Sequence, residues 1–366
     1  MSRPHLTTEQ DTTMVTVGID PHKHTHQAVA LAADGTRLGR PLTVAAGPEA
    51  LARLVAWIRP LAGDRPVVWA IEGGPGLGRA VADALLLAGH KVVWVPPRMM
   101  AAHRRLHAAV GAKSDVLDAV AVARAALAEP DLARHRIDPQ VRRVRVLVEL
   151  RADLVQRRVA VVNRLLAMLH LELGHIPAAR LSTRAALERV RMVVQGAQVD
   201  QVVRFALLEQ VEEVRVLVER IAACERWLRE LVEPLAPRLL AIPGVGVVWA
   251  AVLLAQVGEV SRFCGAAKMA RWAGCAPIPV FSSGRERHRL HRGGNRQVNR
   301  ALHSIAVVQA RFHDPAREFV RSREAVKGRK GAYRALKRHL VDVVYRAMVA
   351  DQADRRRAGQ GYQPAA

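Results

Sequence analysis

Between Met14 and Val95 short apolar runs alternate with polar turns and amphipathic stretches in a regular order. VTVGI (Val15 to Ile19), QAVALA (Gln27 to Ala32) and RLGRPLTV (Arg37 to Val44) read as three strands, with Asp34-Gly35 marking a tight turn. A helical pattern around Pro48 to Ile58 follows, then a fourth strand, PVVWAI (Pro66 to Ile71). A glycine-rich turn and helix, a fifth strand KVVWV (Lys91 to Val95) and more helix complete the series. The order βββαβαβα predicts an α/β layer on a mixed sheet and matches a ribonuclease-H-like core.

From Val141 to about Leu235 the period becomes that of long helices rich in Val, Leu, Arg and Glu. Two long antiparallel helices are expected, separated by a loop with Gly174 and Pro177 and a short helical connection. They form a coiled-coil hairpin suited to dimerisation, with an ordinary bundle inside a monomer as the alternative. In Leu239 to Gly258, Pro243-Gly244-Val245-Gly246 interrupts two helical patterns as a helix-hairpin-helix does. There Gly244 and Gly246 would bring backbone N–H groups and a helix N-terminus up to a phosphate; a plain turn between buried helices is the alternative. The stretch SSGRERHRLHRGGNRQVNRALHS (Ser282 to Ser304) reads as an arginine-rich loop held against phosphate, and the polar tail after Asp351 as disordered. The expected organisation is a disordered N-terminus (1–13), an α/β domain (14–135), a helical oligomerisation region (136–236), a helical C-terminal domain (237–350) and a disordered tail (351–366).

Charge adds a partner to this picture. A formal net charge of +23 and a sequence pI near 11.4 point to a polyanion rather than a small metabolite. Aromatic residues make up only 4% of the chain, so backbone contact rather than base stacking must dominate binding. Cys224, Cys264 and Cys275 lie far apart with no Cys-x-x-Cys, which argues against a disulfide framework or a zinc site. The polar segment 1–13 carries Glu9 and Asp11, and no apolar run reaches the ~18 residues of a membrane span. The expectation is a cytoplasmic protein with no membrane partner.

Against that basic background four acids stand out. Asp20 and Glu72 directly follow strands, at the carboxyl ends where open α/β sheets place their ligands. Adjacent central strands would bring them close. Asp115 and Asp118 open the helical pattern SDVLDAVAVARAAL on one face, behind Ser114 as a cap. Each acid alone could be a turn or helix-start residue; together they suit a pair of Mg2+ ions, or Mn2+, for phosphoryl transfer. His22, His24 and His26 read as turn and strand residues rather than ligands. Gly73, Gly74, Gly76 and Gly78 read as room beside Glu72 rather than as a dinucleotide loop.

GIDPHKHTH, AIEGGPG and KSDVLDAVAVA resemble the three acidic blocks of the DEDD transposases of bacterial insertion sequences, the IS-one-ten family. AIPGVG and AGCAPIPVFSSGRERHRLHRGGNRQVNRALH resemble that family's second, transposase-type domain. The resemblance implies a RuvC-like domain with Asp20, Glu72, Asp115 and Asp118 as magnesium ligands. It also implies a serine nucleophile at Ser283, with Ser282 as the alternative, that forms a covalent link to a DNA phosphate. Further implications are guidance by a bridge RNA and assembly into dimers and tetramers. Arg285, Arg287, Arg289, Arg292 and Arg296, with Asn295 and Asn299, would then hold DNA or guide-RNA phosphates. Gly73 departs from the family pattern, which has Ser or Thr after the glutamate. The competing readings are a RuvC-like Holliday-junction resolvase that uses water as nucleophile, and a noncatalytic nucleic-acid-binding protein.

Overall fold

Strand β1 (Val15–Pro21) is buried along nearly its whole length because it lies inside a sheet, antiparallel to β2 (Thr25–Leu31) and parallel to β4 (Val67–Glu72). With β3 (Arg37–Ala45) and β5 (Lys91–Val95) the order is β3-β2-β1-β4-β5, the mixed sheet expected from the apolar runs. This computed structural model describes residues 14–358 apart from 74–75, 108–113, 130–131, 133, 137, 175–180, 283–284, 290 and 292. The expectations of disorder at 1–13 and 359–366 therefore fall outside the described residues. Described residues up to Arg136 form one compact unit, and those from Asp138 onward form another.

Alternation along the strands sorts side chains to the two faces of the sheet. Val15, Val17, Ile19, Trp69 and Ile71 meet Leu54 and Ile58 of α1 (Ala50–Ala62) and Val81 and Leu85 of α2 (Arg79–Leu87). On the other face, Val68, Ala70 and Val93 meet Met100 of α3 (Pro97–His107) and Val122 and Ala125 of α4 (Asp115–Ala128). By the same alternation Gly18, Asp20 and Glu72 belong to the α4 face. A Cβ at Gly18 would stand 2.1 Å from the Ala119 carbonyl oxygen and 2.6 Å from the Ala123 nitrogen, so only glycine lets α4 lie this close to β1. The contact sets the start of α4, capped by the Ser114 hydroxyl that accepts from the Leu117 N–H at 3.2 Å, near the end of β1.

In the second unit α5 (Pro139–Leu173) and α7 (Gln201–Leu235) are 35-residue helices, about 52 Å long at ~1.5 Å per residue. Val144 and Val148 near the start of α5 share a core with Leu228 and Val232 near the end of α7, so the two run antiparallel. Further along, Leu154, Val161 and Leu165 cluster with Leu207, Val214 and Ile221, and α6 (Arg184–Gly196) adds Leu187 and Val190. There follow α8 (Pro237–Leu240), α9 (Val247–Val257), α10 (Ala266–Trp272), β6 (Ile278–Ser282), β7 (Arg285–Arg289), α11 (Arg296–Phe312) and α12 (Asp314–Arg357). Among the described residues no helix is long and apolar enough to cross a membrane.

Two expectations are corrected here. The arginine-rich segment is no plain loop: β6 and β7 pair antiparallel from Ile278↔Arg289 to Ser282↔Arg285. Its period-2 pattern, Arg285-Glu286-Arg287-His288-Arg289, was masked by its charge. The chain after Asp351 is not disordered through 358 either, because α12 runs on to Arg357. Asp351, only 1% exposed, accepts from the Arg238 and Leu239 N–H groups at 3.0 and 3.1 Å and so caps α8. Arg355 donates to the Leu235 carbonyl at the end of α7. These polar residues satisfy helix ends more than 100 positions away, a role that local polarity does not reveal.

Candidate metal centre

β1 and β4 are paired in parallel with Ile19 opposite Ile71, so Asp20 and Glu72 end neighbouring strands. Their side chains share a hydrogen bond. Burial raises the Asp20 carboxyl above the ordinary carboxylate range, an effect opposed by the nearby His22 ring. Glu72 is pushed up to about 7, first by burial, then by the charge and hydrogen bond of Asp20 and the charge of Asp118. Below about pH 7 Glu72 therefore carries a proton that it donates to the Asp20 carboxylate.

α4 brings the remaining pair. Asp118, 7% exposed, accepts from the Arg104 Nη1 of α3 at 2.7 Å, while Asp115 is exposed one turn earlier. Asp115 and Asp118 both act on the charge of Asp20, and Asp118 acts on Glu72, so the four acids form one electrostatic cluster. His22 Nε2 lies 3.1 Å from Asp20 Oδ2 and 3.4 Å from Asp115 Oδ1. That nitrogen is buried and aligned for a hydrogen bond with neither. One ligand atom each from Asp20, His22 and Asp115 lie within 4.8 Å of one another.

Desolvated like charges held this close call for a cation, and carboxylate oxygens with one imidazole suit a hard divalent ion. Asp20, His22 and Asp115 gather their ligand atoms, while Glu72 acts on Asp20 through a hydrogen bond and Asp118 through its charge. Two side chains beside the acids are not in the sequence pattern. His22, expected as a turn residue, lies against Asp20 and Asp115, two residues after Asp20. Arg104, fourteen residues before Asp118, carries no local signal at all. Gly73, where the expected pattern has Ser or Thr, has φ +92°, a left-handed backbone that those residues would adopt only with strain.

The phosphate-binding candidates are distributed differently. Ser283 and Arg292 lie outside the described residues, and Ser282 and Arg285 are paired at the end of the β6–β7 hairpin. Arg287 pairs with Val280 in the same hairpin, and Arg289 and Arg296 are exposed. Asn295 and Asn299 make hydrogen bonds within the protein. Asn295 accepts from Val298 N–H at 3.0 Å and donates to Gln256 at 3.0 Å. Asn299 donates to the Ala273 and Gly274 carbonyls at 2.9 and 3.1 Å and accepts from Lys337 at 2.8 Å. Gly244 turns with φ +80° after the four-residue α8, and Gly246 caps α9. The same turn is braced by α11, whose Gln309 donates to the Pro243 carbonyl at 2.7 Å.

Residues 17–172 match the DEDD transposase profile of the IS110 elements, described as a transposase. Residues 236–321 match the profile described as transposase, IS116/IS110/IS902 family. The insertion element IS116 uncharacterized 44.8 kDa protein of Streptomyces clavuligerus is 29% identical over 92% of this chain and 94% of its own length. The insertion element IS900 uncharacterized 42 kDa protein of Mycobacterium paratuberculosis is 27% identical over 93% and 96%. The solved T. thermophilus RuvC in complex with Holliday junction substrate overlaps 31% of this chain and 91% of that one at 21% identity. Its TM-score of 0.23 lends no weight to the fold.

Proposed function

The chain belongs to the IS110 family of DEDD transposases and is an enzyme that acts on DNA; from that premise we propose how its residues divide the chemistry. Asp20, Glu72, Asp115 and Asp118 hold Mg2+, or Mn2+, and the Ser283 hydroxyl is the nucleophile. The observation that carries this reading is the convergence of all four acids, with Glu72 raised to about 7, on one end of the sheet. The β3-β2-β1-β4-β5 order, with only β2 reversed against its neighbours, supports a ribonuclease-H-like core under that site.

Bound divalent cations would neutralise charge on the reacting phosphate and lower the barrier to attack by an oxygen. The chain's own residues prepare for this. Glu72 gives up the proton it shares with Asp20 when positive charge enters the cluster, leaving both as acceptors. Arg104 fixes the Asp118 carboxylate, and His22 stands between Asp20 and Asp115. Ser283 Oγ gives up its proton and forms a bond to phosphorus while the strand oxygen leaves with its electron pair and takes up a proton. One phosphodiester replaces another, so a second strand's hydroxyl can reverse the step and release the serine.

A bridge RNA guides the reaction in this reading, and the charge of +23 leaves ample positive surface for an RNA beside DNA. The α5–α7 hairpin supplies coiled-coil contacts for dimers and tetramers, and the Pro243–Gly246 turn serves as a helix-hairpin-helix on backbone phosphate. The test uses element-end DNA, guide RNA and magnesium. Wild-type protein and Ser282→Ala should carry covalent DNA through a denaturing gel, and Ser283→Ala should not. Asp20→Asn should give neither adduct nor product while still binding DNA. An adduct that survives Ser283→Ala moves the nucleophile elsewhere, and a wild type that cuts without any adduct favours a water-using resolvase.

A further inference from the structure

The second unit holds a concave cavity of about 930 Å3. It is lined by the Ala273–Pro277 segment, by Arg289, His291 and Gly294, and by α11 and α12. Helix α12 is two arms joined at Gly328, where φ +64° and ψ +164° break the helical path. Both arms contribute to the lining, which a single straight helix would do over a flatter surface. Gly331 sits just past the break, and a Cβ there would fall 2.7 Å from the Lys327 Cβ.

Six arginines and two lysines line the cavity, and among the described residues no carboxylate does. Arg296 and Arg300 come from α11, Arg323 and Lys327 from the first arm of α12, and Arg334 and Lys337 from the second. Lys337 is held in place by the Asn299 side-chain oxygen at 2.8 Å, and burial lowers its ammonium below the ordinary lysine range. Arg338 is paired with Asp342 at 2.7 Å; the other seven like charges in one concavity repel one another, and a polyanion is the ligand that offsets this. Flat rings border the same space: Phe319 and His339 meet edge to face at 4.9 Å, and Arg323 stands over Phe319 at 5.2 Å.

Shape narrows the class of polyanion. A duplex offers its phosphates on a convex cylinder, which cannot enter a hollow whose volume is that of a drug-sized ligand site, about 300–1,000 Å3. An unpaired strand can turn a phosphate and a base inward, against cations and rings together. We propose that this cavity binds an unpaired polynucleotide strand through its phosphodiester groups, one to a few nucleotides deep. The proposal rests on the transposase reading for the source of such strands, element DNA or guide RNA, and the chemistry is shared by both.

The test uses the full chain and fluorescent 12-nucleotide oligo-dT, oligo-U and a duplex of equal length, with affinity measured across a salt series. Arg300→Gln/Arg334→Gln should weaken single-strand binding at least tenfold and flatten its salt slope by about 1.4, two contacts at ~0.7 each. Duplex affinity should stay unchanged. The tighter homopolymer identifies whether DNA or RNA is the better occupant. Equal losses for duplex and single strand, or no loss, overturn the proposal.

A second readout does not depend on that variant folding. Cys275 lines the cavity, so in a Cys224→Ser/Cys264→Ser background a bound single strand should slow its alkylation several-fold. Unchanged alkylation under saturating strand overturns the assignment. Failure of the recombination reading remains distinguishable: wild-type protein would then give no strand transfer while single-strand binding and Cys275 protection persist.

Discussion

Gly18 of β1 and Ala119 of α4 touch through their backbones, so closely that a Cβ on the glycine would stand 2.1 Å from the alanine carbonyl oxygen. Asp20 lies two residues after Gly18 on the same strand face, and Asp118 directly precedes Ala119. The close approach of strand and helix is thus what sets these carboxylates beside one another.

Gly18→Ala should therefore damage the site as well as the fold. Overpacking of this kind costs about 1–3 kcal/mol, and displacement of α4 moves Asp115 and Asp118 away from Asp20. The expected outcome is a lowered melting temperature with a loss of strand cleavage of about a hundredfold or more, larger than the stability change alone explains. A folded Gly18→Ala protein with wild-type cleavage would show that the spacing of α4 from β1 does not govern the chemistry.

Glu72 predicts how stability responds to pH without metal. Its carboxyl titrates near 4.5 when unfolded and is pushed up to about 7 in the fold. Between those values the folded state holds the extra proton, so stability declines as pH rises through that window and levels off above it. In chelator, the melting temperature should show this fall, and Glu72→Gln, which mimics the protonated group, should flatten it. Excess magnesium should restore stability most at the high end. A melting curve of wild type indifferent to both pH and magnesium would remove the charge cluster as a cation site.

Much of this was legible because it is local. The strands were written in apolar runs, and Asp20 and Glu72 each follow such a run directly, so a parallel pairing of β1 with β4 sufficed to join them. Asp115 and Asp118 were legible from a three-residue spacing behind a serine cap. What stayed hidden depends on contacts between distant positions. Arg104 meets Asp118 only because α3 and α4 pack together, and Asn299 is occupied by carbonyls some 25 residues away. The basic cavity is of the same kind, since its cations are spread from Arg289 to Arg338 and are gathered by α11 and the break at Gly328.

Arg104 gives a third expectation. Its guanidinium pairs with Asp118 at 2.7 Å and also lowers Glu72, against the burial and charges that raise it. Arg104→Gln should shift the Glu72 titration further upward and, at a pH where the acids are ionised, tighten Mn2+ binding about fivefold. That factor follows from the ~1 kcal/mol between a unit charge and a divalent ion ~8 Å apart in a watery environment. Cleavage should nonetheless fall, because Asp118 loses the partner that orients it. Calorimetric Mn2+ affinity equal to wild type would place Arg104 outside the site's electrostatics.

Asp351 tests the end of the chain. Its two carboxylate oxygens accept from the Arg238 and Leu239 N–H groups, and it is almost wholly buried. Removing the side chain leaves two donors at the start of α8 without their acceptor, at about 1–3 kcal/mol for a buried unsatisfied group. Asp351→Ala should lower the unfolding free energy by about 2–6 kcal/mol across the pair. Asp351→Asn, which keeps one acceptor oxygen, should lose about half of that. Both variants should keep single-strand binding in the α11–α12 cavity at temperatures where they remain folded, since neither donor lines it. If Asp351→Ala melts with wild type, the cap contributes nothing, and the C-terminal turns of α12 are dispensable to the second unit.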